Sequence, residues 1–194
     1  MDLSRLVGSI RRRVAPVHRM FRHHKLALLF RVLEPRPSDT LVDLGGGYGI
    51  DNEFEPMHHF FREVLLVNLD AEPARIGSIS TMRGDARALP YPNRSFDWVF
   101  SNAVIEHVGN WEEQRRMAHE VRRVARKGYF VATPNFYFPI DPHTFLPLRH
   151  YWKQSSDCWM LTKQQMKLLF PEAVVRIVGV GTSIVAYHCR FQPS

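Results

Sequence analysis

The sequence predicts an α/β domain on a seven-stranded, mostly parallel sheet, closed at one edge by an antiparallel hairpin. Three observations carry this. Near-continuous apolar runs such as VLLVNL and FDWVF suit strands buried on both faces. Helical patterns with caps and stops lie between those runs, the alternation of right-handed crossovers in an open sheet. The last two strand segments are joined by only a few residues around Gly181, so they must run antiparallel.

The elements follow in order. In the N-terminal segment Leu3, Leu6, Val7, Ile10, Val14 and Val17 recur at helical spacing, with Arg5, Arg11, Arg12, Arg13 and Arg19 between them. Pro16 breaks that helix, and a second runs from about His18 to Leu33, ending before Pro35 and Pro37. Strands are expected at Thr40–Leu44, Val64–Asp70, Thr81–Gly84, Phe96–Asn102, Gly128–Thr133, Ala173–Val180 and Ser183–Arg190. Asn110 caps a helix with Glu112 and Glu113 in its first turn and a buried stripe of Met117, Val121 and Val124. Its last turn should hold Arg122, Arg123, Arg126 and Lys127, with Gly128 as its stop. Thr162 and Gln165 form a capping box, flanked by a Leu161/Met166 staple and ended by Pro171.

The chain of 194 residues carries a net charge of +7, and its location is informative. Residues 1–36 hold nine Lys/Arg and two acids, which accounts for all of it; the rest has 17 of each sign. The reading is a basic helical extension over 1–36 packing on a single domain over 37–194. The extension is a candidate for peripheral contact with an anionic membrane surface. A neutral domain argues against nucleic acid as the main partner. Cys158 and Cys189 have no metal-ligand spacing and read as reduced thiols. The histidines at 18, 23, 24, 58 and 59 lack carboxylate partners at matching spacing, so no metal site is expected. No apolar run is long enough for a transmembrane helix and no secretory signal is visible, so a cytoplasmic location is expected. The oligomeric state is not legible.

TLVDLGGGYGI, at Thr40–Ile50, places four glycines in five positions directly after the first strand. Glycine loses more entropy on ordering than any other residue, so the cluster needs a sharp turn or a ligand against the backbone. In a doubly wound sheet this is the carboxyl end of a strand, where ligands bind. A dinucleotide fingerprint read from Gly45 needs glycine at position 50, and Ile50 stands there. Asp43 on the strand would repel a pyrophosphate but suits the ammonium of an amino-acid moiety.

Asp43-x-Gly45-x-Gly47-x-Gly49 resembles the first motif of class I S-adenosylmethionine-dependent methyltransferases, and four further segments follow in family order. The run LPYPNRSFDWVFSNAVIEHV resembles the type 11 subgroup, and ATPNFYFPIDPHTFLP the segment after strand five in some members acting on small molecules or glycans. The resemblance implies a Rossmann-like fold with strand order 3-2-1-4-5-7-6 and S-adenosyl-L-methionine as cofactor. It assigns Asp43, Gly45 and Gly47 to the glycine loop. Asp70 falls to the ribose hydroxyls, Asp85 and Ala86 to the adenine, and Asn102 to the methionine end. Gly46 stands where cysteine, serine or alanine is common in the family, which should change little. The implied activity is methyl transfer to a small-molecule or glycan-type acceptor. A non-catalytic scaffold domain and an RNA methyltransferase are the alternatives, the second weakened because Asn102-Ala103-Val104-Ile105 lacks the Pro-Pro-aromatic loop of exocyclic-nitrogen enzymes. If the acceptor must lose a proton, His143 is the favoured base and His107 the second.

Overall fold

The computed structural model describes residues 23–47, 54–140 and 158–190. His143, the residues before 23 and residues 48–53 lie outside them. The elements in order are α1 (residues 23–33), β1 (Thr40–Leu44), α2 (Glu55–His58), β2 (Glu63–Asn68), β3 (Ala74–Ile76), β4 (Ile79–Arg83), β5 (Phe96–Asn102), α3 (Trp111–Val124), β6 (Ala125–Pro134), α4 (Lys163–Leu169), β7 (Val174–Val178) and β8 (Ser183–Cys189).

The strands form one sheet in the order β3-β4-β2-β1-β5-β6-β8-β7. β4, β2, β1, β5 and β6 are mutually parallel, whereas β8 runs antiparallel to both β6 and β7. Without β3 the order is the expected 3-2-1-4-5-7-6. β3 is the addition: three exposed residues pairing antiparallel with β4 across a turn at Gly77. Too short to show alternation and burying nothing, it leaves no pattern in the sequence.

The strands other than β3 feed two cores, because alternate residues point to opposite faces. Val42, Val99 and Val131 meet Met117 and Val121 of α3 and Met166 of α4 on one face. Leu41, Leu66, Phe100 and Phe130 meet Leu28, Leu29 and Leu33 of α1 on the other. The second helix of the basic extension is thus part of the folded body over its described length. Both expected caps are present: Asn110 accepts from the amides of Glu112 and Glu113, and Thr162 and Gln165 complete their reciprocal box.

The end of α3 differs from expectation. The helix stops at Val124 and Ala125 is already extended, so Arg126 and Lys127 belong to β6 and not to a last helical turn. The physical reason is ion pairing: Arg126 meets Asp97, and Lys127 meets both Asp39 and Asp97, at the amino edge of the sheet. Gly128 is accordingly not a helix stop. It sits within β6, where a Cβ would lie 2.0 Å from the His188 carbonyl oxygen of β8.

Candidate functional site

The chain leaves β1 toward β2 on one side and β5 on the other, so the crevice at the carboxyl ends of β1 and β5 is the point where strand order reverses. Gly45 opens it. Its φ is +83°, and a Cβ at this position would lie 2.2 Å from Val104 Cγ2, so both conformation and space call for glycine. The Gly45 amide donates to Val67 O at 2.7 Å, and Asn68 Nδ2 donates to Gly45 O at 3.3 Å. The loop after β1 is thereby pinned to β2 on one side and packed on the β5 loop on the other.

A cavity of about 360 Å³ opens beside this loop. Gly46, Gly47, Asn68 and Asp70 line its inner side, and Ile76 and Thr81 of the β3–β4 hairpin its outer side. β2 ends at Asn68, so Asp70 is in the following turn, exposed and facing the cavity instead of ending the strand. Glycine amides beside an accessible carboxylate fit a ligand that combines hydroxyls with a chain of hydrogen-bond acceptors.

The other assigned residues are distributed differently. Asp43 points beneath the glycine loop: 3% exposed, it lies 2.8 Å from His58 Nε2 of α2. Burial pushes its carboxyl above the usual range, with His58 pulling the other way. This inward position does not match the expected contact with a ligand ammonium, because β1 alternation puts Asp43 on the face of Leu41, toward α2. Asp85 and the half-buried Ala86 follow β4 and do not line the described cavity. The Asp85 carboxylate accepts from the Arg87 amide and guanidinium, the closest contact being 2.6 Å, and Arg87 holds its pKa below the ordinary value.

Asn102 ends β5, and its Oδ1 accepts from Lys25 Nζ of α1 at 2.6 Å. Lys25, Leu28 and Leu29 fall at i, i+3 and i+4, so a lysine occupies the inward stripe of α1 and reaches the carboxyl edge of the sheet. Beyond Asn102, Ala103 takes a left-handed φ of 57°. Glu106 is fully buried; Thr133 Oγ1 donates to its Oε2 at 2.9 Å, while Oε1 has no hydrogen-bond partner among the described residues. Burial pushes its carboxyl up as well. His107 beside it is exposed. The Trp159 amide donates to Glu106 O at 2.7 Å, tying the chain before α4 to this loop. The structure therefore gathers Gly45, Gly47, Asp70, Asn102 and His107 along one edge, and adds Lys25, His58, Asn68 and Glu106. Of these additions only Lys25 has a signal in the sequence, as a cation in an apolar stripe.

Residues 42–132 match the family described as "Methyltransferase domain". Sarcosine/dimethylglycine N-methyltransferase of Aphanothece halophytica is 31% identical over 47% of this chain. The chloroplastic 2-methyl-6-phytyl-1,4-hydroquinone methyltransferase 1 of Oryza sativa subsp. japonica is 30% identical over 62% of it. The match spans 36% of the length of each of these curated relatives. Among solved structures, magnesium protoporphyrin IX methyltransferase of Synechocystis PCC 6803 with bound SAH superposes with a TM-score of 0.65 at 13% identity, over 94% of this chain and 87% of its own. Haemonchus contortus phosphoethanolamine N-methyltransferase 1 gives 0.61 at 15% identity, over 84% of this chain and 41% of its own. Sheet order and family match agree: residues 42–132 are similar to the methyltransferase domain family, and the sheet has the Rossmann-like order of the solved methyltransferases it superposes on.

Proposed function

We propose that this chain binds S-adenosylmethionine along the Gly45–Gly47 edge and transfers its methyl group to a small-molecule acceptor, with a glycan-type acceptor inside that class. One observation carries the reading: a cavity lined by Gly46, Gly47 and Asp70 adjoins the crevice where the strand order reverses. The residues fit the cofactor in kind. Asp70 offers a carboxylate to paired ribose hydroxyls, and the glycine loop offers amides with no side chain in the way. The cofactor supplies an activated methyl on a sulfonium, so the protein's work is alignment and water exclusion.

Asn102, Lys25 and the loop through His107 form the acceptor side. Asn102 and Lys25 would orient the acceptor's nucleophilic atom toward the methyl that the bound cofactor would supply. Where the acceptor carries a proton, His143 or His107 takes it. Lys25 beside Asn102 places a positive charge that favours acceptors bearing an anionic oxygen. The small-molecule relatives support this acceptor class, since their names give sarcosine, dimethylglycine and a substituted hydroquinone as substrates.

Calorimetry with S-adenosylhomocysteine and with NAD tests the first half: micromolar binding of the former and none of the latter is expected. NAD binding alone would overturn it. A product screen with labelled S-adenosylmethionine against acceptor pools tests the second half. Cofactor binding with no transfer to any pool would favour the scaffold reading.

A further inference from the structure

At the opposite edge of the sheet from the β3–β4 hairpin, α1 and the β7–β8 hairpin border a second space of about 480 Å³. His24, Leu28 and Arg31 of α1 line it together with Arg176, Ile177 and Val180. Among the described residues no carboxylate lines it. The hairpin exposes apolar side chains beside the exposed Arg176: Val180 is 83% exposed, Ile177 46% and Val174 45%. β7 is also the outermost strand on this edge.

Val180 is in an unfavourable conformation as well as an unfavourable environment. The Thr182 amide donates to Gly179 O at 3.2 Å, and the two residues between, Val180 and Gly181, have φ of 55° and 94°. With Gly179 also at a φ of 64°, three successive residues are left-handed, a conformation that favours Gly, Asn or Asp. A β-branched residue there is strained. Folding would be better served by Asn-Gly. An exposed, strained valine at a hairpin tip therefore has its use outside the fold.

We infer that the β7–β8 hairpin and α1 form a docking face for an anionic lipid bilayer, with Val180 and Ile177 entering the interface and Arg31 and Arg176 meeting lipid phosphates. This goes beyond the methyl-transfer reading and does not depend on it. Charge complementarity selects the occupant. The lining is cationic, and the chain entering α1 carries six Lys/Arg and one acid over residues 1–22. Covering the face with that segment would set like charges together, whereas an anionic surface neutralises both. An apolar tip flanked by arginines matches the layered polarity of a bilayer interface.

The test is co-sedimentation of the full chain with phosphatidylcholine vesicles, with and without phosphatidylserine, alongside thermal unfolding. The wild type should bind the anionic vesicles and bind the neutral ones far more weakly. Val180→Asn should weaken binding about tenfold, the loss of one buried valine, while its unfolding midpoint stays level or rises as the turn strain is relieved. Arg31→Gln and Arg176→Gln should each cost about fivefold, on anionic vesicles only. Equal binding by wild type and Val180→Asn would overturn the proposal, as would absence of vesicle binding. Heparin binding that survives Val180→Asn without any vesicle binding would replace the bilayer with a polyanion.

Discussion

The two edges of the parallel sheet are built on opposite rules. At the amino edge, Asp39 accepts from the Arg36 amide at 3.0 Å, Trp98 Nε1 at 2.7 Å and Lys127. Asp97 accepts from the Thr40 amide at 3.0 Å and from Arg126 Nη2 at 2.6 Å. Both carboxylates are nearly inaccessible and several times satisfied. At the carboxyl edge, Glu106 keeps an oxygen with no partner among the described residues, Ala103 has a left-handed φ, and Asp43 meets His58. Satisfied charges hold the strand starts in register. An unmet carboxylate oxygen lies at the end where ligands bind.

Proton chemistry separates the edges in sign. For Asp39 and Asp97 burial alone would raise the pKa, but Lys127 and Arg126 with the amide and indole donors outweigh it, and both are lowered. A lowered folded pKa stabilises above the unfolded value and is lost as pH falls through the folded one. Burial raises Asp43 and Glu106, so their contribution is present at low pH and declines as pH climbs through their raised values.

The largest effect that would sharpen this contrast is catalytic. His143→Ala or His107→Ala should lower turnover about 10²–10⁴-fold with cofactor affinity nearly unchanged, His143 being favoured. Turnover on the identified acceptor, with calorimetry on each variant, decides it. If both stay within a few-fold of wild type, the carboxyl edge works by alignment alone.

Asp97→Asn should cost about 2–3 kcal/mol of stability in urea unfolding, the range for hydrogen bonds to a charged group, without altering cofactor affinity. It should also flatten the fall in stability below about pH 4, the unfolded carboxylate value. Lost cofactor binding at full stability would break the division between edges. In the other direction, Asp70→Ala should weaken S-adenosylhomocysteine binding by about 1.5–3 kcal/mol and leave unfolding unchanged, because the side chain is exposed. Wild-type affinity in that variant would move the ribose carboxylate elsewhere.

The parallel strands are legible in the sequence because both faces are buried and the apolar runs are unbroken: the Phe96–Asn102 strand is legible to the residue. β3 is not, since a strand that buries nothing has no pattern. The end of α3 is misread because Arg126 and Lys127 satisfy a helix C-terminus as well as they satisfy two distant aspartates. Only tertiary pairing chooses between them. At the site, position along the motif locates Asp70, but not where Asp43 points. That direction depends on His58, fifteen residues away and adjacent to a histidine that faces solvent.

The smallest effect concerns Gly46, where the sequence predicts that a departure from the family pattern changes little. A Cβ there would lie 2.7 Å from Asp43 Cγ and Oδ2, too close for any real contact. The Asp43 side chain could swing away on its own, but His58 Nε2 holds it at 2.8 Å. Gly46→Ala must therefore either distort the loop or give up the buried contact, and about 1 kcal/mol of stability, the net worth of a hydrogen bond, is the expected loss. The comparison needs a double-mutant cycle with His58→Ala. If the histidine is what pins the carboxylate, Gly46→Ala should cost little further in the His58→Ala background, so the double variant loses less than the two single losses added together. Strict additivity in urea unfolding would mean that the Asp43–His58 contact does not hold this loop. The glycine would then answer only to the ligand, and Gly46→Ala should show its cost in S-adenosylhomocysteine affinity instead.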